Sequence, residues 1–444
     1  MKIQLSDHFT YKKLLKFTSS TIVMMIFTSI YSVVDGFFVS RFAGKTPFAA
    51  INLIFPVIMI LGSVGFMLGT GGTALVAKTF GEGDKEKANS YFSLVTYVAI
   101  VVGIILSALG IALMRPLAKM LGAEGELLHH CITYGRIILA ALPFYMLQIM
   151  FQSFFVAAEK PHLGLVMTIL SGVTNMVLDA VLVLLLPQHL KLSGAAIASA
   201  VAQVIGGVVP FIYFFRKNNS ILRLGKTKYD GKAVFKICTN GSSELMSNIA
   251  MSIVGILYNM QLMKYAQENG VAAYGVMMYV SMIFSAAFIG YSVGVSPVIS
   301  FHFGAKHDIE LKSLLKKSLT LLACCGVGMT IAAELLAYPL SKFFVGYDKE
   351  LLEMTTFGFR IFSFAFLSMG IGIFSSAFFT ALNDGLTSAL ISFLRTLFFQ
   401  TTAILVLPIF FKLTGIWFSV VVAEFLSLLL SIFFLVIKRK KYNY

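Results

Sequence analysis

The residues able to do chemistry in this chain stand out by where they sit. Asp35 lies inside YSVVDGFFVSRF, residues 31–42, among nearly unbroken apolar side chains. Asp179 closes NMVLD, four residues after Asn175, in an equally apolar stretch. On a helix that spacing sets amide and carboxylate on one face, one turn apart. Carboxylate and amide oxygens, met by a second carboxylate, suit a hard monovalent cation such as Na+ or a shared proton. Two acids brought together in low dielectric cannot both stay charged cheaply, so proton and Na+ would compete for Asp35, Asn175 and Asp179. The alternative is that all three only hydrogen-bond neighbouring helices.

An ionisable side chain at the centre of a bilayer costs roughly 2.5 to 3.5 kcal/mol on insertion scales, which makes the other internal charges candidates too. Of the twenty acids, only Asp35, Asp179, Glu244, Glu334 and Glu424 fall within apolar stretches. Glu244 reads as an acid near a helix start, favoured by the helix dipole, and Glu334 as interfacial. Arg395, in FLRTLFFQTT, either neutralises a buried acid, faces a substrate, or snorkels to an interface. Arg395, Glu244, Gln203 and Asn259 are therefore candidates for substrate contact or conformational change.

These residues must be positioned by membrane-spanning elements. The 444 residues are 58% hydrophobic and 12% charged, with a mean hydropathy of +0.87, which excludes a soluble domain. Twelve apolar stretches read as transmembrane helices, at 14–40, 48–77, 91–114, 129–156, 163–186, 193–215, 240–263, 271–301, 314–337, 354–381, 385–411 and 414–437. The net charge of +15 does not imply nucleic acid. Of the 35 Lys and Arg, 23 fall on the N-terminal segment, alternate loops and the C-terminal tail, against nine on the opposite side. That bias predicts both termini in the cytoplasm. The N-terminus reads as a lead-in to the first helix, without the pattern of a removed signal. The four cysteines lack zinc-ligand spacing.

The chain also repeats itself. LGTGGTALVAKTFGEGDKEKA from Leu68 aligns with YSVGVSPVISFHFGAKHDIEL from Tyr291, 223 residues later. The same spacing pairs RPLAKML from Arg115 with YPLSKFF from Tyr338, and a spacing of 221 pairs LSGAAIASAVAQ with LTGIWFSVVVAE. The expected fold is therefore all-α, with two pseudo-symmetric six-helix bundles, 1–216 and 237–444, joined by a cytoplasmic linker at 217–236. Asp35 corresponds to Tyr258, beside Asn259, and Asp179 falls near Gln400 to Thr402, while Gln203 pairs with Glu424. Cation chemistry is thus expected in the first half alone. Gly44-Lys45-Thr46 lacks the first glycine of a phosphate loop, Val39 standing there, and no histidine set matches a metalloprotease. No enzyme activity or cofactor is expected, and energy for transport would come from an ion gradient.

The order and spacing of YSVVDGFFVSRFAG, TGGTALVAKTFGEGDKEKA, NMVLD and GAAIAS resemble the multidrug and toxic compound extrusion family over nearly the whole chain. That family belongs to a wider group of multidrug, oligosaccharidyl-lipid and polysaccharide exporters. The resemblance implies Na+- or H+-coupled antiport of drugs, organic cations and other xenobiotics across the plasma membrane by a monomer, through alternating access. It carries the family's cation site onto Asp35, Asn175 and Asp179, with Ser199 where threonine is frequent and the backbone carbonyl of Ala195 one turn before. A lipid-linked oligosaccharide flippase is the alternative; it needs a strongly cationic cavity, for which only Arg395 is a deep candidate.

Overall fold

In lipid every backbone N–H and C=O must be satisfied within its own segment, so apolar runs of this length become helices. The computed structural model describes residues 3–38, Phe42 and 45–444; within this range the side chains of residues 32, 33, 35–38 and 45 lie outside the description. Among the described residues there is no strand. The first half comprises α1 (Tyr11–Phe38), α2 (Lys45–Gly81), α3 (Lys85–Met120), α4 (Gly125–Ala140), α5 (Leu142–Ala157), α6 (Pro161–Leu185) and α7 (Lys191–Phe215). The second comprises α8 (Gly231–Gly304), α9 (Asp308–Val345), α10 (Lys349–Ser363), α11 (Phe366–Ala381), α12 (Gly385–Phe393), a π-helical turn (Leu394–Phe399) and α13 (Gln400–Ile437), with α14 (Arg439–Tyr442) in the tail.

Interruptions in these helices recur at the repeat spacing. α4 and α5 bend by 52° at Ala141, and α10 and α11 by 50° at the corresponding position. Pro143 accounts for the first bend; the second has no proline. The 74-residue α8 is broken at Gln267, φ 50°, and α13 at Lys412, φ 49°. Gly83 and Lys306, 223 apart, both take positive φ in the turn after a helix. By length and composition alone, eight helical stretches among the described residues are apolar enough to cross a membrane, and each bent pair adds one more.

The two halves meet at one end through glycines that also obey the repeat. A Cβ on Gly81 would lie 2.0 Å from the Phe301 carbonyl oxygen, and one on Gly304 would lie 2.0 Å from that of Lys78. Lys78 and Phe301 are themselves 223 apart, so the contact is its own pseudo-two-fold mate. Further along, Gly71 abuts the Ile237 carbonyl and Gly241 that of Met67, while Gly290 and Gly294 receive Thr21 and Thr18 of α1. Without a hydrophobic drive between helices in lipid, close backbone packing of this kind is what holds them.

That end carries both termini. Tyr97 and Asn89 bind the linker at Gly225 and Arg223, Lys236 reaches the Asn383 carbonyl, and Tyr442 bonds Asp384. Asn383 also donates to the Ala74 carbonyl across the seam, at 3.2 Å. Burial raises the Asp384 pKa, but hydrogen bonds from Tyr442 and Thr387 and the Lys438 charge outweigh it and hold this carboxyl below the ordinary aspartate range.

Candidate cation site and the charged pair of the second half

α1 and α6 run in the same direction. Leu5, ahead of α1, bonds Glu159, just ahead of α6, and farther along Phe27 and Tyr31 flank Gly172, which admits them because it has no side chain. Asp35 falls one turn beyond Tyr31 on α1, though its side chain lies outside the described residues. Asn175 and Asp179 lie one and two turns beyond Gly172 on α6, 3% and 0% exposed. Thus the backbone of α1 brings position 35 to the level of the α6 pair.

The α6 pair faces α7. Asn175 Nδ2 donates to Ser199 Oγ at 3.2 Å, which leaves the amide oxygen as an acceptor. Ala195 is buried one turn before Ser199, and its carbonyl keeps a second lone pair beyond its helical bond. Val183 and Ala195 pack with Phe42, Phe48 and Ile51, an apolar cap one turn beyond Asp179. A buried carboxylate and amide thus lie one turn apart on α6, with a hydroxyl of α7 bonded to the amide, and oxygen donors of these kinds fit a hard cation or a proton. Among the described residues no three His, Cys, Asp or Glu come together as a metal site.

A polar ladder on α6 extends this site and escaped the sequence reading. Ser171 accepts from Gln148 Nε2 at 3.1 Å and donates to the Ala202 carbonyl at 2.8 Å. Thr168 accepts from Gln152 Nε2 at 3.2 Å. Thr168, Ser171, Asn175 and Asp179 are spaced three and four apart on one buried face, and that spacing was the available signal.

In the second half Arg395 neither snorkels nor faces out. Its Nε and Nη2 bind the two Glu424 carboxylate oxygens at 3.0 and 2.9 Å, a bidentate pair in which the Glu424 side chain is 1% exposed. The π-helical turn carrying Arg395 and the bare Gly372 beside its Nε make room for it. Glu244 lies within the electrostatic reach of Arg395. The reading of Glu244 as a helix-start acid is corrected: α8 begins at Gly231, capped by Asp230, so Glu244 sits almost four turns inside. Gln203, the repeat mate of Glu424, is half-buried, and its Oε1 has no hydrogen-bond partner among the described residues. Asn259 is exposed, beside a buried Tyr258 stacked on Tyr274 at 4.9 Å. Neither residue joins the Arg395–Glu424 pair through a hydrogen bond. Glu334 accepts from Ser363 at 2.5 Å.

The fold and its sequence have known relatives. The multidrug export protein MepA of Staphylococcus haemolyticus is 25% identical over 435 residues, covering 95% of this chain and 92% of that one. MepA of Staphylococcus aureus strain MSSA476 is 24% identical, covering 97% and 94%. Among solved structures, a MATE protein in complex with MaL6 matches with a TM-score of 0.92 at 19% identity, over 98% of both chains. An outward-facing multidrug resistance MATE transporter of the MOP superfamily matches with a TM-score of 0.90 at 20% identity, over 100% of this chain and 98% of that one. The MatE pattern itself matches residues 20–181 and 245–405, once in each half, and the chain belongs to the MatE family of multi-pass membrane transporters.

Proposed function

We propose that this chain is a secondary active multidrug exporter of twelve spans in two six-helix bundles, residues 1–216 and 237–444. It releases lipophilic or cationic small molecules outside the cell in exchange for inward Na+ or H+. The spans follow if each bent pair counts once and the helices broken at Gln267 and Lys412 count twice. The reading with both termini in the cytoplasm draws support from the basic loops and tail gathered at one end. The observation that carries the coupling is the α6–α7 oxygen cluster: a fully buried Asp179 and an Asn175 bonded to Ser199, with α1 bringing Asp35 alongside.

In this mechanism the glycine seam closes the cytoplasmic end while the opposite end admits the cation. Binding at Asp35, Asn175, Asp179 and Ser199 draws α1 toward α6 and α7, and the change in the first bundle lowers substrate affinity. Cation and substrate must favour different states, since a ligand with equal affinity for both shifts nothing. Each inward charge supplies roughly 2.3 kcal/mol per 100 mV of membrane potential. A flippase for a lipid-linked diphosphate is disfavoured because Arg395, the deep cation it would use, is bound to Glu424.

The test is efflux of a fluorescent organic cation from reconstituted vesicles, with Na+ and H+ gradients imposed separately. Efflux should follow at least one gradient, and Asp35→Asn should remove that response while the protein stays folded. Efflux indifferent to both gradients refutes antiport; full coupling in Asp35→Asn removes that residue from the mechanism.

A further inference from the structure

Residues 4–10, ahead of α1, cross the seam between the halves and are pinned on both sides. On the first half, the Leu5 N–H donates to Glu159 Oε1 at 2.9 Å, in the turn between α5 and α6. On the second half, Glu310 in the first turn of α9 takes the Phe9 N–H at 3.0 Å and His8 Nδ1 at 2.6 Å. Lys317 Nζ donates to the Phe9 carbonyl, and His302 lies beside the Leu5 and Asp7 carbonyls. Leu5 and Phe9 are buried in the apolar core of the second half, with Phe9 edge-on to Phe17. Asp7 holds the loop in shape through Lys13 and the Gln4 N–H.

On the second half the segment is held by buried Phe9 and several polar contacts, and on the first the Leu5 N–H joins it to Glu159. A cavity of about 500 Å³, bordered by Ser6, His8, His302, Lys306 and His307, lies under the segment on the side of α8 and α9. Any motion that parts the start of α6 from the start of α9 must break one attachment or the other.

We propose that residues 4–10 form a strap that holds the terminus-bearing end closed, tied to the first half at Glu159 and to the second at Glu310, one tie parting when that end opens. The proposal rests on the alternating-access reading, because only a transporter that opens at this end has to release the strap. Glu159 and Glu310 are positioning residues; neither belongs to the cation site.

The experiment measures distances between spin labels at Glu86→Cys and Lys312→Cys, exposed positions on α3 and α9, in full-length protein whose native cysteines are replaced. Glu159→Ala and Glu310→Ala should each raise the ratio of longer to shorter distances by roughly five- to tenfold, the effect of losing charge-assisted hydrogen bonds at a partly exposed site. Glu159→Gln, whose amide oxygen still accepts the Leu5 N–H, should restore the wild-type distribution. Distributions in both alanine variants that match wild type overturn the strap. A wild type that stays closed under every substrate and ion condition counts against alternating access, while the alanine variants still decide the strap.

Discussion

Converting Arg395 to Met removes the guanidinium while keeping most of the side-chain volume. Glu424, 1% exposed and held by two bonds of 3.0 and 2.9 Å, is then left without its counter-charge. Breaking a buried ion pair from one side costs about 3 to 5 kcal/mol, whereas replacing both partners by apolar residues is often neutral. If all 444 residues unfold together, 4 kcal/mol lowers the melting temperature by about 4 °C, and by about twice that if the second half unfolds alone. Trp417 can tell these apart: it is the chain's one tryptophan, is 1% exposed and packs against Gly358 in the second half. Its fluorescence reports melting there, while a thiol-reactive dye on Cys131, buried in the first half, reports the other side once Cys238, Cys324 and Cys325 are replaced. Arg395→Met and Glu424→Leu should each melt early, and the double variant should recover most of the loss, giving a coupling energy of about 3 kcal/mol. The reasoning fails if Arg395→Met melts within 1 °C of wild type, on the order of the noise in such scans, or if the double variant is no better than the singles.

Gly81→Val places a Cβ 2.0 Å from the Phe301 carbonyl, far inside contact distance, so the seam cannot close without backbone movement costing roughly 1 to 3 kcal/mol. A cysteine at buried Thr79 should then react with a water-soluble maleimide at least tenfold faster than in the parent, while Gly255→Ala, which meets open space, should change nothing. Ser199→Ala removes the hydroxyl bonded to Asn175 and should weaken the dependence of efflux on the coupling ion by several-fold, measured as a shift in the half-saturating ion concentration. The tail responds to acid with a defined sign: the Asp384 carboxyl sits below the ordinary 3.8, so its hold on Tyr442 and Lys438 is complete above that pH and is lost as pH falls through the lowered value. A spin label at Asn443→Cys should stay immobile from pH 7 to 5 and loosen only in stronger acid. Loosening between pH 7 and 5 would assign the control to a histidine.

Much of this architecture was legible because it is written twice. The bends at Ala141 and after Ser363, and the turns at Gly83 and Lys306, fall at positions that the 223-residue repeat relates. The Asn175–Asp179 face was equally readable, since spacing on a helix decides which groups share a side. Partners from different helices were not. Nothing in FLRTLFFQTT says that Arg395 meets Glu424 29 residues on, because a π-helical turn resets its direction. Glu244 was misplaced because the helix begins at Gly231 in a polar, basic stretch that looks like loop. The strap was read as a mere lead-in because its anchors, Glu159 and Glu310, lie more than 150 residues away.

The duplication also separates what must be symmetric from what need not be. In the proposed cycle, opening and closing at the seam would involve both halves at once, and there the repeat-related residues contact one another: Gly81 on the carbonyl of residue 301, Gly304 on that of residue 78. A side chain added on either copy obstructs the same motion, which ties both positions to glycine. Ligand chemistry carries no such constraint. The first half keeps an acid, an amide and a hydroxyl, oxygen donors that an exchangeable cation can join; the second places a permanently charged Arg395 against its own buried acid. A guanidinium cannot be diluted away or driven by a gradient. In the proposed exchange cycle the second half would therefore carry its counter-charge throughout, and the free energy for the motion would enter at the first.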